Sequence, residues 1–198
     1  MTSIAVRAAS RDEEGAVSAV IALAFATDPM ARWSLRGAKT YLAVMPALIC
    51  AFGAAAYDSD SADVSEDFGG AAMWLPPGVE PDTETLARLI RDNADPAILS
   101  EVEAIFDGMA RYHPEAPHWY LPLIGTDPTR QGQGIGSALM RHALARCDRD
   151  GAAAYLESSN PRNIPLYQRH GFEILGTIQA GSSPVLTPML RPPRHATS

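Results

Sequence analysis

The chain has 198 residues, 46% of them hydrophobic and 20% charged, a balance that suits one globular domain and excludes a disordered chain. Its net charge of −7 argues against nucleic acid or an acidic membrane as the main partner and favours cationic ligands. Lys39 is the only lysine, so Schiff-base or lysine-nucleophile chemistry has a single candidate.

Ser3 to Ala8 alternates polar and apolar residues and reads as a first strand. Ser10 with Glu13 three residues later forms a capping box, opening an amphipathic helix to about Phe25. Ala26 to Arg36 reads as an irregular loop, and Lys39 to Ala51 as a second helix. Ala54 to Asp58 is expected to be a short strand, and the acidic, serine-rich Asp58 to Asp67 a hairpin turn. Gly70 to Leu75 is the returning strand, stopped by Pro76-Pro77-Gly78. Thr83 to Asn93 and Ala97 to Arg111 are helical, and His113 to Pro117 is a proline-bounded connector.

His118 to Thr126 then reads as a strand, Gly134 to Arg149 as a helix, Ala153 to Ser158 as a strand and Asn163 to His170 as a short helix. Phe172 to Gln179 and Val185 to Arg191 close the chain as an antiparallel pair. The order describes a single mixed α/β domain over residues 1–198. Cys50 and Cys147 lie in apolar helical patterns and read as reduced core residues; no Cys/His spacing suggests a metal site. The apolar run Ala43 to Tyr57 is too short to span a bilayer, and no signal-peptide core precedes it, so a cytoplasmic location is the default.

The chemistry concentrates in Arg130-Gln131-Gly132-Gln133-Gly134-Ile135-Gly136-Ser137, a glycine-rich turn between strand and helix. Successive N–H groups, a helix dipole and missing side chains make such a turn an anion cradle. A P-loop would need a lysine that is absent. A dinucleotide fingerprint would need glycine where Ser137 stands and a place near the start of a βαβ unit. The pattern that fits is Q-x-x-G-x-G on Gln131, Gly134 and Gly136.

That turn resembles the pyrophosphate-binding turn of the GNAT superfamily of acetyl-CoA-dependent N-acetyltransferases. A second block, Asn160-Pro161-Arg162-Asn163-Ile164-Pro165-Leu166-Tyr167-Gln168-Arg169-His170-Gly171-Phe172, resembles the same family's N-x-x-[AN]-x-x-x-Y-x-x-x-G-F segment. The stretch Leu156 to Asn163, with Tyr167, is similar to the branch that includes puromycin N-acetyltransferase.

The resemblance implies a GNAT-like fold: a mostly antiparallel mixed sheet of about seven strands flanked by helices. It implies acetyl transfer from acetyl-CoA straight to a primary amine, with no metal. It assigns the cofactor to Leu123, Ile124, Gly125 and Thr126 on the strand, to Gln131 through Ser137 in the turn, and to Asn160 and Asn163. The two asparagines serve equally well as helix caps. Tyr167 matches the family's acid tyrosine, which would protonate the leaving thiolate; its ring also suits a helix anchor. Glu157, facing opposite to Leu156 near a strand end, is a candidate general base or cation site, or an ion-pair partner of Arg162 or Arg169. Asp28 and Trp33 sit where the family binds acceptors, in what otherwise reads as a surface loop. His113, His118, His142, His170 and His195 read as structural or solvated. A small-molecule amine is the expected partner, with neither nucleic acid nor membrane, and a homodimer is compatible. A peptide-amine acetyltransferase and a non-catalytic acyl-CoA sensor are the alternatives.

Overall fold

A computed structural model describes residues 4–194; Ser3 and His195 lie outside the described residues. Seven strands form one sheet: β1 (Val6–Ala8), β2 (Ala62–Ser65), β3 (Gly70–Leu75), β4 (His118–Thr126), β5 (Ala153–Ser158), β6 (Glu173–Ile174) and β7 (Thr187–Arg191). Their spatial order is β1-β2-β3-β4-β5-β7-β6, and only the central pair β4 and β5 is parallel. The expected mixed, mostly antiparallel sheet is present.

Strand alternation divides the core into two layers. Met73, Leu75, Tyr120, Leu123 and Tyr155 point to one face, which is covered by helices α1 (Glu14–Ala24), α3 (Ala38–Gly53), α4 (Thr83–Asn93) and α5 (Leu99–Tyr112). Ala72, Trp74, Trp119, Leu121 and Leu156 point to the other, covered by α6 (Ile135–Arg149) and α7 (Ile164–Arg169). On β4 the alternation slips by one residue between Leu121 and Leu123. The pairing slips with it: Met73 faces Leu123, but Leu75 faces Tyr120. The extra residue is a bulge around Pro122, which has no N–H for the ladder.

The capping box at Ser10 forms as read: Glu13 accepts from the Ser10 N–H at 2.9 Å. Four other expectations need correction. Ala54–Ser59 is a 3-10 helix rather than a strand, and β2 lies within the expected turn. The polar residues that suggested a turn are buried for a specific reason. Asp63, fully buried on β2, accepts from both terminal nitrogens of Arg146 on α6 at 3.0 and 2.6 Å, with His142 Nε2 3.5 Å away. Burial still raises the Asp63 carboxyl above its usual range.

The expected loop at Ala26–Arg36 contains a helix, α2 (Pro29–Ser34), capped by Asp28 with Pro29 at its first position. Cys50 is exposed, whereas Cys147 is buried, and burial pushes its thiol up to about 12. The closing pair β6 and β7 is antiparallel as read but short, continuing only through the bridge Ile178–Leu186. The helical run Ala38–Ser59 is long and apolar enough to cross a bilayer, yet Tyr41, Val44, Met45, Leu48 and Ile49 on it are core residues.

The Asp63–Arg146 pair is the most exacting of these contacts, because deleting one member leaves the other charged and buried. Asp63→Ala is expected to cost about 3–5 kcal/mol in urea denaturation, and a loss under about 1 kcal/mol would refute that assignment.

Candidate active site

The parallel pair β4 and β5 is hydrogen-bonded only from His118–Ala153 to Tyr120–Tyr155. Beyond that point β4 follows β3 to Thr126, while β5 follows β7 to Ser158. The strands therefore part, and the β4 edge from Leu121 onward has no strand partner on that side. A cavity of about 590 Å³ occupies the gap and takes its walls from both core layers.

One end of the cavity is the glycine turn. Gly132 and Gly134 have φ of +77° and +89°, a left-handed backbone that favours glycine, and Gly134 is the N-cap of α6. Gln131, Gly132, Gly134, Ile135, Gly136 and Ser137 line the cavity. Gln133 does not; it is exposed on the outer side of the turn. Leu123, Ile124, Gly125 and Thr126 line the cavity along the free β4 edge. Gly125 has a second reason to be glycine: a Cβ there would stand 2.7 Å from the Ala24 Cβ of α1.

Arg130, Arg162 and Arg169 also reach this cavity. Arg130 is oriented by Asp67 at 2.7 Å. Asn160 is a cap, its side chain accepting from the Arg162 N–H at 3.1 Å, while Asn163 makes no capping bond; both line the cavity. Ser137 is paired with His170 Nε2 at 2.7 Å, so that histidine is tied to the turn rather than solvated.

Tyr167 is 5% exposed and packs edge-to-face on Phe172, with ring centroids 6.2 Å apart. Burial, with Asp28 nearby, raises its phenol well above the usual range. The ring anchors α7 and also lines the cavity.

Glu157 lines the gap on the face opposite to Leu156, as read. The expected alternative, an ion pair with Arg162 or Arg169, does not form. Instead Glu157 Oε2 accepts from the Tyr120 hydroxyl at 2.9 Å, and Oε1 is buried with no partner. Burial pushes this carboxyl up to about 7, against the lowering effects of the Tyr120 and Tyr155 hydroxyls. Tyr120 escaped the sequence reading; the available signal was its place two residues before Pro122, where the strands part.

Asp28 and Trp33 also line the cavity, but as parts of α2 rather than of a surface loop. Asp28 Oδ1 accepts from the N–H groups of Met30 and Ala31, each at 3.0 Å, and Oδ2 from the Ser159 hydroxyl at 2.7 Å. Burial raises its carboxyl. Trp33 is 9% exposed and donates its indole N–H to Ser182 Oγ at 3.1 Å. Among the described residues no group of three His, Cys, Asp or Glu side chains is arranged to hold a metal.

Residues 66–172 match the model of the Acetyltransferase (GNAT) family. A solved Corynebacterium glutamicum structure, described as histone acetyltransferase HPA2 and related acetyltransferase, is 29% identical over 100% of both chains, with a TM-score of 0.67. Arabidopsis thaliana Naa50, solved with the bisubstrate analogue CoA-Ac-MVNAL, is 17% identical over 96% of this chain and 99% of that one, with a TM-score of 0.56, a likeness of fold alone. A mycothiol acetyltransferase of Acidimicrobium ferrooxidans is 34% identical over 115 residues, which are 52% of this chain. The chain spans 37% of that protein and 17–24% of four other curated relatives that it matches.

The Tyr120 hydrogen bond lowers the Glu157 pKa, so its removal has a predictable sign. In Tyr120→Phe the Glu157 carboxyl is expected to titrate at higher pH than in the parent. The readout is its infrared carbonyl band, assigned by the band's loss in Glu157→Gln; an unmoved midpoint would show that the bond does not tune this group.

Proposed function

This chain belongs to the GNAT family of acetyltransferases, and on that premise we propose that it transfers acetyl from acetyl-CoA directly to the primary amine of a small molecule. The observation that carries the reading is the parting of β4 and β5: one continuous cavity joins the glycine turn to Glu157 and Tyr167.

The donor end fits a polyanionic coenzyme. The turn offers backbone N–H groups at a helix N-terminus, and Arg130, Arg162 and Arg169 supply the only cationic side chains lining the cavity among the described residues. The unpaired β4 edge from Leu123 to Thr126 can bond an extended, amide-bearing arm as an added strand would. Asn163, free of capping duty, is the better placed of the two asparagines to join it.

At the reacting centre the amine arrives as an ammonium ion. Glu157, ionised above its raised pKa, takes one of its protons, directly or by one water. The neutral nitrogen attacks the thioester carbonyl, a C–N bond forms, and the C–S bond then breaks. Tyr167 gives its proton to the departing thiolate, and its phenolate is reprotonated by the second proton that the acylated nitrogen sheds as it becomes the amide. The raised pKa makes Tyr167 a weak acid but keeps it fully protonated until charge develops on sulfur. Asp28, with both oxygens engaged, shapes the site rather than exchanging protons. The likeness of Leu156 to Asn163 to the puromycin N-acetyltransferase branch favours a small-molecule acceptor over a peptide.

Tyr167→Phe is expected to lower kcat by about 100-fold or more, with the KM for acetyl-CoA little changed, in a thiol-release assay. Unchanged turnover would remove Tyr167 from the acid role. The kcat/KM for the amine should fall as pH drops through about 7, because Glu157 must be ionised to accept a proton. That acid limb should vanish in Glu157→Gln; its survival would place the base elsewhere.

A further inference from the structure

The end of the cavity away from the glycine turn has a distinct chemistry. Its walls are Met30 and Trp33 of α2, Met45 and Phe52 of α3, and Phe106 and Met109 of α5. None of the residues that α3, α4 and α5 contribute is charged. The two carboxylates that line the cavity, Asp28 and Glu157, are the only ones among the described residues.

Nearly every buried polar group at this end is already committed. Asp28 holds two backbone N–H groups and Ser159. Trp33 is bonded to Ser182, and the Ser34 hydroxyl to the Met30 carbonyl at 3.1 Å. Glu157 is the less committed carboxylate: the Tyr120 hydroxyl bonds Oε2, the Tyr155 hydroxyl lies beside the group, and Oε1 is covered and makes no bond of its own. A ligand entering here finds at Glu157 a carboxylate with spare acceptor capacity, facing a wall whose α3, α4 and α5 residues are all uncharged. A second polar group on that ligand would be stripped of water without compensation, a penalty that selects strongly against it.

The same end is roofed. The segment between β6 and β7 carries Ser182, whose N–H and hydroxyl both donate to Glu101 of α5, at 2.7 and 2.8 Å. Trp33 reaches Ser182 from α2, while Ile178 and Leu186 pack on Ile105. These contacts link α2, α5 and the segment between β6 and β7 at this end of the cavity. The cavity of about 590 Å³ must take the arm of the donor as well as the acceptor, which favours a compact acceptor body.

We propose that the acceptor is a monoamine on a compact apolar body, an alkylamine or arylalkylamine, with its ammonium at Glu157 and its hydrocarbon among Met30, Trp33, Phe52, Phe106 and Met109. This assignment rests on the acetyl-transfer reading above. It excludes polyamines, aminosugars and peptide N-termini as good acceptors.

The test is steady-state thiol release with acetyl-CoA across a fixed panel: n-alkylamines of increasing length, 2-phenylethylamine, spermidine, glucosamine and a hexapeptide. Each added methylene is expected to raise kcat/KM about fourfold among the shorter alkylamines, from the usual gain on burying one CH₂. The kcat/KM for 2-phenylethylamine should exceed that for spermidine or glucosamine by about 100-fold or more. Met109→Gln, close to the parent in size, should lower the 2-phenylethylamine value about tenfold while acetyl-CoA binding, measured by calorimetry, stays constant. A flat alkylamine series, or spermidine, glucosamine or the hexapeptide as the best acceptor, would overturn the apolar assignment and leave acetyl transfer standing. Binding of acetyl-CoA with no turnover on any amine would overturn acetyl transfer itself, and this assignment with it.

Discussion

The parting of two parallel strands governs everything else in this molecule. A sheet normally satisfies its backbone groups by pairing, so an edge that opens inside the fold needs a compensating cause. Here the cause is local and covalent. Pro122 cannot donate to the ladder, a bulge absorbs the extra residue, and β4 stays bonded to β3 while losing β5. Beyond Tyr120 the central strand has one free edge, and that edge runs straight into the glycine turn. The cavity, the anion cradle and the place of Glu157 on the cavity wall all descend from that single break in pairing. A β4 that remained paired to β5 would close the gap and leave Glu157 sealed within the sheet.

Two buried carboxylates within this gap show how environment separates roles. Burial disfavours the charged form of both Asp28 and Glu157. Asp28 offsets that cost with two backbone N–H donors and a hydroxyl, and so becomes a fixed cap for α2. Glu157 has one hydroxyl donor and one orphaned oxygen. Its protonation is therefore the more finely balanced, which is the property a proton acceptor needs near neutral pH. The pair Asp63–Arg146 belongs to neither case. It is bidentate, lies away from the cavity, and secures α6 to the sheet, so that the helix whose N-terminus meets the cavity is held against it.

Much of the fold was legible because periodicity and punctuation agree over long segments. Thr83–Asn93, His118–Thr126 and Ala153–Ser158 have the bounds that their patterns imply. What failed was short or internally polar. β2 was hidden because Asp63 and Ser65, residues typical of turns, are buried there by partners distant in sequence or by the turn that follows. Helix α2 was hidden by its length of six residues, too few to show a period. Its Asp28-Pro29 start was nevertheless a cap signal, an acceptor side chain followed by a residue with no N–H to satisfy. Cys50 sits on an apolar helix but on the flank that the core leaves uncovered, a distinction that composition does not carry.

The two ends of the cavity differ in legibility for a physical reason. Binding phosphates by backbone requires positive φ and close approach, which glycine meets at little cost, so the demand is written as a motif at fixed spacing. An apolar pouch makes no such demand. Met, Leu, Phe and Ile serve nearly interchangeably in a wall, provided volume and shape are kept, and they may come from any helix that reaches it. Here they come from α2, α3, α4 and α5, segments scattered from residue 30 to 109 that share no spacing. The residue at that end whose identity cannot be exchanged within a hydrophobic wall is Glu157, a carboxylate on the cavity held by the Tyr120 hydroxyl. Its specificity in turn depends on Tyr120, and Tyr120 occupies the last rung of the β4–β5 ladder. The point where the strands part is thus also where the carboxylate is oriented, so a shift in the register of β4 would misplace the opening and Glu157 together.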